Sequence, residues 1–436
     1  MTISSSLAAG VSGLNANSQR LASISDNIAN SGTYGYKRTF TDFHSMVIDS
    51  TSSSKYIAGG VRTTTERLID EKGAMQGTAN ATDISIKGRG FLPVTDASAV
   101  KFGGNLPLSL MTTASFRPDA AGTLVDATGK VLLGSPANQD GTIRPFPRDS
   151  IAGLEPVNIY HNQLAANPTG NMTMHVNLPA NDTRVGAVAD PQDITLEYFG
   201  NLGQTETLRA TFTPTPSDGV TPSNEWTMTI TDSASGDAVI GEYTLAFNSG
   251  NPGGGTLASV TRTDPAYPEY EGDSGTLPLT VGGGDISLNI GKLNNGNGIT
   301  QLNTSFSPTT LSKDGSAIGN LVGVEIDAGG IVNAVYDSGF TRSIYQVPVI
   351  DVANPNGLRT GDAQTYKVTA ESGEMFLWDA GDGPVGETAG YSRETSTVDV
   401  ATELTNLIQT QRAYSSNAKI IQTVDEMLQE TTNLKR

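Results

Sequence analysis

Apolar residues recur every seven positions at both ends of this chain, whereas most of the sequence between them alternates apolar and polar residues in short runs broken by glycine. Leu7, Leu14, Leu21 and Ile28, with Val11 between the first two, fall along one stripe of a helix. Val400, Leu407, Tyr414, Ile421 and Leu428 make a second stripe, with Leu404 and Ala418 interleaved. Such stripes suit either two amphipathic helices docked on a globular core or a terminal coiled coil. The intervening Ser18, Ser25, Gln411 and Asp425 are polar, and no other long helical pattern offers a docking surface. That selects the coiled coil. A helix with one narrow stripe is marginal in water, so the two ends need each other or copies of themselves. The first helix is expected to start after the serine run Ser4–Ser6, whose hydroxyls can cap free backbone donors, and to stop near Asn30. Gly32 and Gly35 then break the period.

From residue 31 to 81 the pattern is irregular, with Ser50–Ser54 reading as a solvated loop, and this stretch is expected to be a connector. Period-two alternation follows. Ile84 and Ile86 flank Ser85; Met172, Met174, Val176 and Leu178 alternate with polar residues; Trp226, Met228 and Ile230 enclose two threonines. Tyr243, Leu245 and Phe247 continue the pattern, as do Ile286, Leu288 and Ile290, then Val322, Val324 and Ile326, then Tyr366 and Val368. Turns are marked by Asp126–Gly129, Asp140-Gly141, Asn294–Gly298 and Asp327–Gly330. The middle of the chain is therefore read as all-β.

Charge divides that middle. Between residues 155 and 300 there are sixteen acidic and four basic side chains, a net of −12 out of −18 for the 436-residue chain. So acidic a block predicts a separate, solvent-facing domain. Hydrophobic residues make up only 36% and glycines number 49, which fits thin β-domains with many turns better than one large core. A balance of 27 basic to 45 acidic residues repels a phosphate backbone, and nucleic-acid binding is set aside.

Candidate chemistry is sparse. There is no cysteine, so disulfides, thiolate metal sites and thiol nucleophiles are excluded. His44, His161 and His175 are scattered without metal-ligand spacing, and no serine sits in a nucleophile elbow. The glycine-rich Gly250–Thr256 and Gly282–Asp285 lack the Lys-Ser/Thr pair of a phosphate loop, and Glu269, Glu271 and Asp273 miss the spacing of a calcium loop. No catalytic residue, cofactor or metal is expected. The first charged side chain is Arg20, no continuous apolar run follows the start, and none reaches membrane-spanning length, so neither a cleaved signal peptide nor membrane insertion is expected.

Several strings carry a family resemblance. Ser12–Arg38, with Asn27, Asn30, Gly35, Tyr36 and Lys37, closely resembles the N-terminal signature of bacterial flagellar rod and hook proteins. Val398–Arg436, including Gln411, Arg412, Ala413 and Tyr414, is similar to that family's C-terminal helix. Gly73–Phe91, Ser115–Gly134 and Gly330–Leu358 also match, in order, so the resemblance covers the chain outside 155–300. Two departures stand out. Arg393–Ala401 reads RETSTVDVA where the family more often has Leu-Glu-x-Ser-Asn-Val-Asp, and Gly90-Phe91-Leu92 lacks a common second Phe.

Within the family, the distal rod proteins are too short for an inserted 155–300 domain, and length selects the hook-type branch. What the resemblance implies is a mainly β chain with terminal α-helices. Residues 1–30 and 396–436 pair as a coiled coil, 31–81 connect, 82–154 and 301–395 form an inner β-domain, and 155–300 form an outer acidic β-domain inserted into it. It also implies a non-enzymatic subunit polymerising into a curved, hollow, flexible tube, a universal joint passing torque from motor and rod to filament. The stripe residues, Leu7 to Ile28 and Val400 to Leu428, would then be assembly contacts. Implied partners are other copies of the chain, the distal rod, hook cap and hook-filament junction proteins, and the flagellar type III export apparatus. The implied location is the extracellular flagellum, attached to the basal body. The alternatives are a distal rod protein or, from another class, a secreted adhesin or carbohydrate-active protein with paired carboxylates in a cleft.

Overall fold

The computed structural model describes residues 3–46, 59–102, 106–138, 141–160, 164–217 and 219–433. Ser50–Ser54, Asp140 and His161 lie outside the described residues. Three α-helices are present among them: α1 (Ile3–Ala29), the short α2 (Ala97–Phe102) and α3 (Val400–Asn433). The rest is strand and turn. Helix α1 starts four residues before the expected position, at Ile3 rather than after Ser6. Ser5 is buried there, so the serine run supplies small residues for the first turn of the helix instead of a cap ahead of it.

The chain separates into two compact units. Unit 1 comprises Met1–Asn162, Gly323–Ala334 and Thr341–Arg436; unit 2 comprises Gln163–Val322 and Val335–Phe340. The acidic block was set at 155–300 by charge, but strand pairing moves both edges. Glu155–Pro156 pairs with Lys130–Pro136 and Val157 N–H donates to Leu132, which holds 155–157 in unit 1. Ser307–Lys313 pairs with Asn171–Pro179, which holds it in unit 2.

Unit 2 is built from two five-stranded sheets. One is an antiparallel meander of Gln192–Phe199, Thr205–Thr215, Glu225–Asp232, Ala238–Phe247 and Leu257–Arg262 in sequence order. In the other, Asn171–Pro179 runs parallel to Gly284–Asn289 and Thr300–Leu302 and antiparallel to Ser307–Lys313, and Thr276–Val281 borders Gly284–Asn289. The alternating residues of both sheets, Met172 to Leu178, Trp226 to Ile230, Tyr243 to Phe247 and Ile286 to Ile290, meet in one core. Because side chains alternate faces along a strand, the polar partners between them point outward.

One buried acid ties those sheets together. Asp232, with no exposed surface, accepts hydrogen bonds from Tyr198 Oη (2.7 Å), Ser235 Oγ (2.6 Å), Ala234 N (3.1 Å) and Gly282 N (2.8 Å). Burial works to raise its pKa, but the bonds from Gly282, Ser235, Tyr198 and Ala234 outweigh burial and hold it below the usual carboxylate value. A folded-state pKa below the unfolded one contributes stability above the unfolded value of about 3.9 and loses it as pH falls through the folded value. Unit 2 is therefore expected to keep its stability down to about pH 4 and to lose this contribution only below it. Asp232→Asn is expected to cost about 1.5–3 kcal/mol at neutral pH and to flatten that acid dependence, as read by urea unfolding across pH.

Unit 1 holds the chain ends. Its sheet runs Thr341–Gln346, Lys130–Pro136, Leu92–Asp96, Ser109–Met111, Tyr366–Lys367, Arg359–Thr360, and Phe91, Leu110, Leu133, Ile350, Tyr366 and Leu377 form its core. The connector is ordered as strands β1 (Thr39–Ser45) and β2 (Val61–Arg67), paired antiparallel from Thr39–Arg67 to Ser45–Val61, and β3 (Met75–Gly77). Strand β3 pairs with Ser392–Glu394, which places the early connector beside the segment that leads into α3.

Candidate assembly site where the chain ends meet

Helices α1 and α3 pack antiparallel in unit 1. A Cβ built on Gly10 would lie 3.1 Å from Ile421 Cγ1, one on Gly13 would lie 3.0 Å from the Asn417 amide, and Asn27 Nδ2 donates to Glu403 Oε1 at 3.3 Å. The buried face of α1 is Gly10, Gly13, Asn17, Ile24 and Asn27, spaced by threes, fours and sevens as a coiled-coil seam requires. The buried residues of α3 are Glu403, Thr410 and Val424, with Ala413 and Asn417 half-buried. The other flank of α1 faces the β1–β2 pair, where Ser23 Oγ bonds Thr41 Oγ1 at 2.6 Å.

This seam is not the one the heptads predict. Leu7, Leu14, Leu21 and Ile28 are only half-buried, as are Leu407 and Ile421. Val11 (52%), Val400 (40%), Leu404 (45%), Tyr414 (43%) and Leu428 (40%) are exposed, and Ile408, Ile420 and Met427 join them. The physical reason is close approach. Glycines let the backbones come near enough for short polar contacts, and the large apolar residues are left on the flanks. The intrachain pair thus uses small and polar side chains and presents its leucines outward.

Next to the helices lies a network of buried polar groups. Lys37 Nζ contacts Glu394 Oε1 at 2.6 Å with side chains 0% and 2% exposed, and also donates to the Glu71 carbonyl at 2.6 Å. Gly73 N–H donates to the same carboxylate oxygen (2.8 Å), and Gly35 N–H to the Glu394 carbonyl (2.8 Å). Gly35 has φ +71°, and a Cβ there would meet Thr113 Cγ2 at 2.9 Å, so the position requires glycine. Arg38 Nε contacts Glu403 Oε1 at 2.7 Å, and Arg38 N–H donates to Thr397 Oγ1.

The motif residues Asn27, Asn30 and Tyr36 serve the same closure. The Asn27 amide accepts from Thr39 N (2.8 Å) and donates to Thr39 O (2.9 Å), which fixes the turn from α1 into β1. Tyr36 Oη donates to Asp26 Oδ2 (2.9 Å), with the Arg67 guanidinium over its ring, and burial raises its pKa. Asn30 Nδ2 caps the carbonyl of Asp26. Of the C-terminal motif, Gln411, Arg412 and Tyr414 are exposed and Ala413 is half-buried. Glu394, Glu403 and Arg38 escaped the sequence reading because a charge in a polar string reads as a solvated one. The only available signal was that Glu403 and Thr410 stand seven apart.

His44 and His175 sit on separate strands, His175 facing Asn289, and among the described residues no group of acids and histidines could hold a metal ion. No helix among them is long and apolar enough to cross a membrane.

Paired terminal helices with β-domains between them in the sequence are the arrangement expected of an axial subunit of the bacterial flagellum, and the comparisons agree. Residues 7–37 match the family model described as flagella basal body rod protein, 388–434 that of the flagellar basal body rod FlgEFG protein C-terminal, and 177–316 that of the flagellar basal body protein FlaE D2 domain. The chain is 34% identical over 441 residues to the flagellar hook protein FlgE of Rhizobium meliloti (strain 1021), and 32% identical over 438 residues to that of Brucella suis biovar 1 (strain 1330), covering 100% of each chain in both cases. A solved structure of Helicobacter pylori flagellar hook protein FlgE2 covers 73% of this chain and 100% of that one, with a TM-score of 0.47 and 13% identity. The chain belongs to the flagellar hook protein family.

Proposed function

We propose that this chain is the repeating structural subunit of the flagellar hook, polymerising with copies of itself into a curved, hollow tube that joins motor and rod to filament. The observation that carries this reading is the outward set of large apolar residues on paired terminal helices: Val11, Val400, Leu404, Tyr414 and Leu428 are each at least 40% exposed in the single chain. Such a stripe is costly to leave in water and suits burial against the next copy. A face that binds a different face of its neighbour generates an open helical polymer when the rotation between copies does not close.

Unit 2 suits the outer layer. Its acidic, polar surface makes solvated contacts that exchange at low cost when a tube bends. The rod below, the cap and junction proteins at the growing end, and the type III export apparatus complete the partner set in this reading. In this reading the chain has no catalytic role.

Electron microscopy of purified full-length protein under polymerising conditions tests the proposal. Curved tubes are the expected result. Straight rigid tubes would favour a rod subunit, and persistent globular monomers would overturn the polymer reading.

A further inference from the structure

We propose that a cleft in unit 1 centred on Arg393 and Tyr34 is a docking site for a carboxylate side chain of a second copy of the chain. The inference rests on the polymeric reading above and names a contact within it. The cleft is ≈ 440 Å³ and is lined by Tyr34, Arg117, Asp126, Gln364 and Arg393 among others. Arg393 lies 3.9 Å over the Tyr34 ring, and its Nε is buried with no hydrogen-bond partner among the described residues. Burying a guanidinium nitrogen without an acceptor is costly, and such a group is complete only when an acceptor arrives.

The groups around it do not supply that acceptor. Asp126 already accepts from Thr128 N (2.9 Å), Thr128 Oγ1 (2.8 Å) and Lys130 N (2.7 Å). The Glu394 carboxylate on the next residue is engaged through Oε1 by Lys37 and the Gly73 N–H, and its buried Oε2 makes no bond to Arg393 among the described residues. Asp83 accepts from Ser115 Oγ and faces Arg117 at 3.5 Å. Two guanidiniums therefore share the cleft, and none of these three carboxylates bonds Arg393 Nε.

Two further observations point the same way. Ala363 and Gln364, on the rim, hold φ of +57° and +54°, a region that residues with a Cβ rarely adopt and that is retained where the surroundings demand a shape. Arg117 also lines the cleft, which brings a second guanidinium to it. A guanidinium placed over an aromatic ring offers its N–H donors to a planar anion. In a helical homopolymer the contacting faces meet other copies, and this chain carries 45 acidic side chains at a net charge of −18. Its own carboxylates are the most available ligand.

The test uses the full chain as monomer and as tubes. Phenylglyoxal labelling mapped by mass spectrometry is expected to modify Arg393 roughly tenfold less in tubes than in monomer. Arg393→Gln is expected to elongate roughly tenfold more slowly from wild-type seeds while its monomer melts as wild type does, with Arg393→Lys recovering part of the rate. If Arg393→Gln fails to fold, Arg117→Gln, whose side chain is 60% exposed, replaces it and is expected to slow elongation and weaken its salt dependence. Absence of tubes from wild type would defeat the polymeric reading itself. Tubes in which Arg393 labels as fast as in monomer, or variants that elongate at the wild-type rate, would overturn the docking site alone. So would protection of monomeric Arg393 by millimolar acetate with no protection in tubes, which would assign the cleft to a small carboxylate.

Discussion

Glu394→Ala is expected to lower the unfolding free energy of unit 1 by about 3–5 kcal/mol, among the largest losses a single substitution can cause. Lys37 has no exposed side-chain surface, and without Glu394 its ammonium keeps only the Glu71 carbonyl. An unpaired charge then stays buried, while Gly73 N–H loses its acceptor as well. Urea unfolding followed by fluorescence separates the effect, because the two tryptophans report on different units: Trp378 lies in unit 1 and Trp226 in unit 2. The unit 1 transition should move and the unit 2 transition should not. Replacing both partners, Lys37→Met with Glu394→Leu, is expected to recover most of the loss, because no uncompensated charge remains. If Glu394→Ala costs under about 1 kcal/mol, the pair is solvated and the closure does not depend on it.

Leu404→Asp and Tyr414→Asp are expected to abolish tube growth while leaving the monomer intact. Both side chains are exposed in the single chain, at 45% and 43%, so a charge there changes monomer stability by no more than about 0.5 kcal/mol. In a polymer that buries the same flank, the carboxylate would lose its water without gaining a partner, a cost of several kcal/mol at every contact. Sedimentation and electron microscopy read growth; thermal unfolding of the monomer reads the control. A variant that polymerises normally would remove the outward stripe from the interface. The contrast with Glu394→Ala matters, since one substitution attacks the fold and the other only its association.

The strands were the legible part of the sequence. Met172 to Leu178 and Trp226 to Ile230 alternate, and every apolar member of those runs is buried, because period two on a sheet fixes which face a residue takes. The terminal helices were legible as helices, but their orientation was not. A heptad of leucines says which residues want burial, whereas Gly10, Gly13 and Asn27 decide which face can approach α3, and small residues leave no hydrophobic signal. The ion pairs were illegible for another reason. Lys37 and Glu394 are 357 residues apart, and Asn27 and Glu403 376 apart, so no local window contains both partners. Charge composition located the acidic unit but not its edges, which depend on the pairing of Glu155–Pro156 and Ser307–Lys313.

Those separations set an order of events during synthesis. Unit 2 draws all but six of its residues from one uninterrupted stretch, Gln163–Val322, and can gather its two sheets from what is already made. Unit 1 has to wait. Strand β3 finds its partner only at Ser392–Glu394, and α1 its helical partner in α3, so these two elements emerge with those partners still unmade. Contacts that close loops of this length form slowly even once both ends exist. Helix α1 and strand β3 therefore lack these partners until translation is almost complete, a delay that suits the export through a narrow channel proposed above.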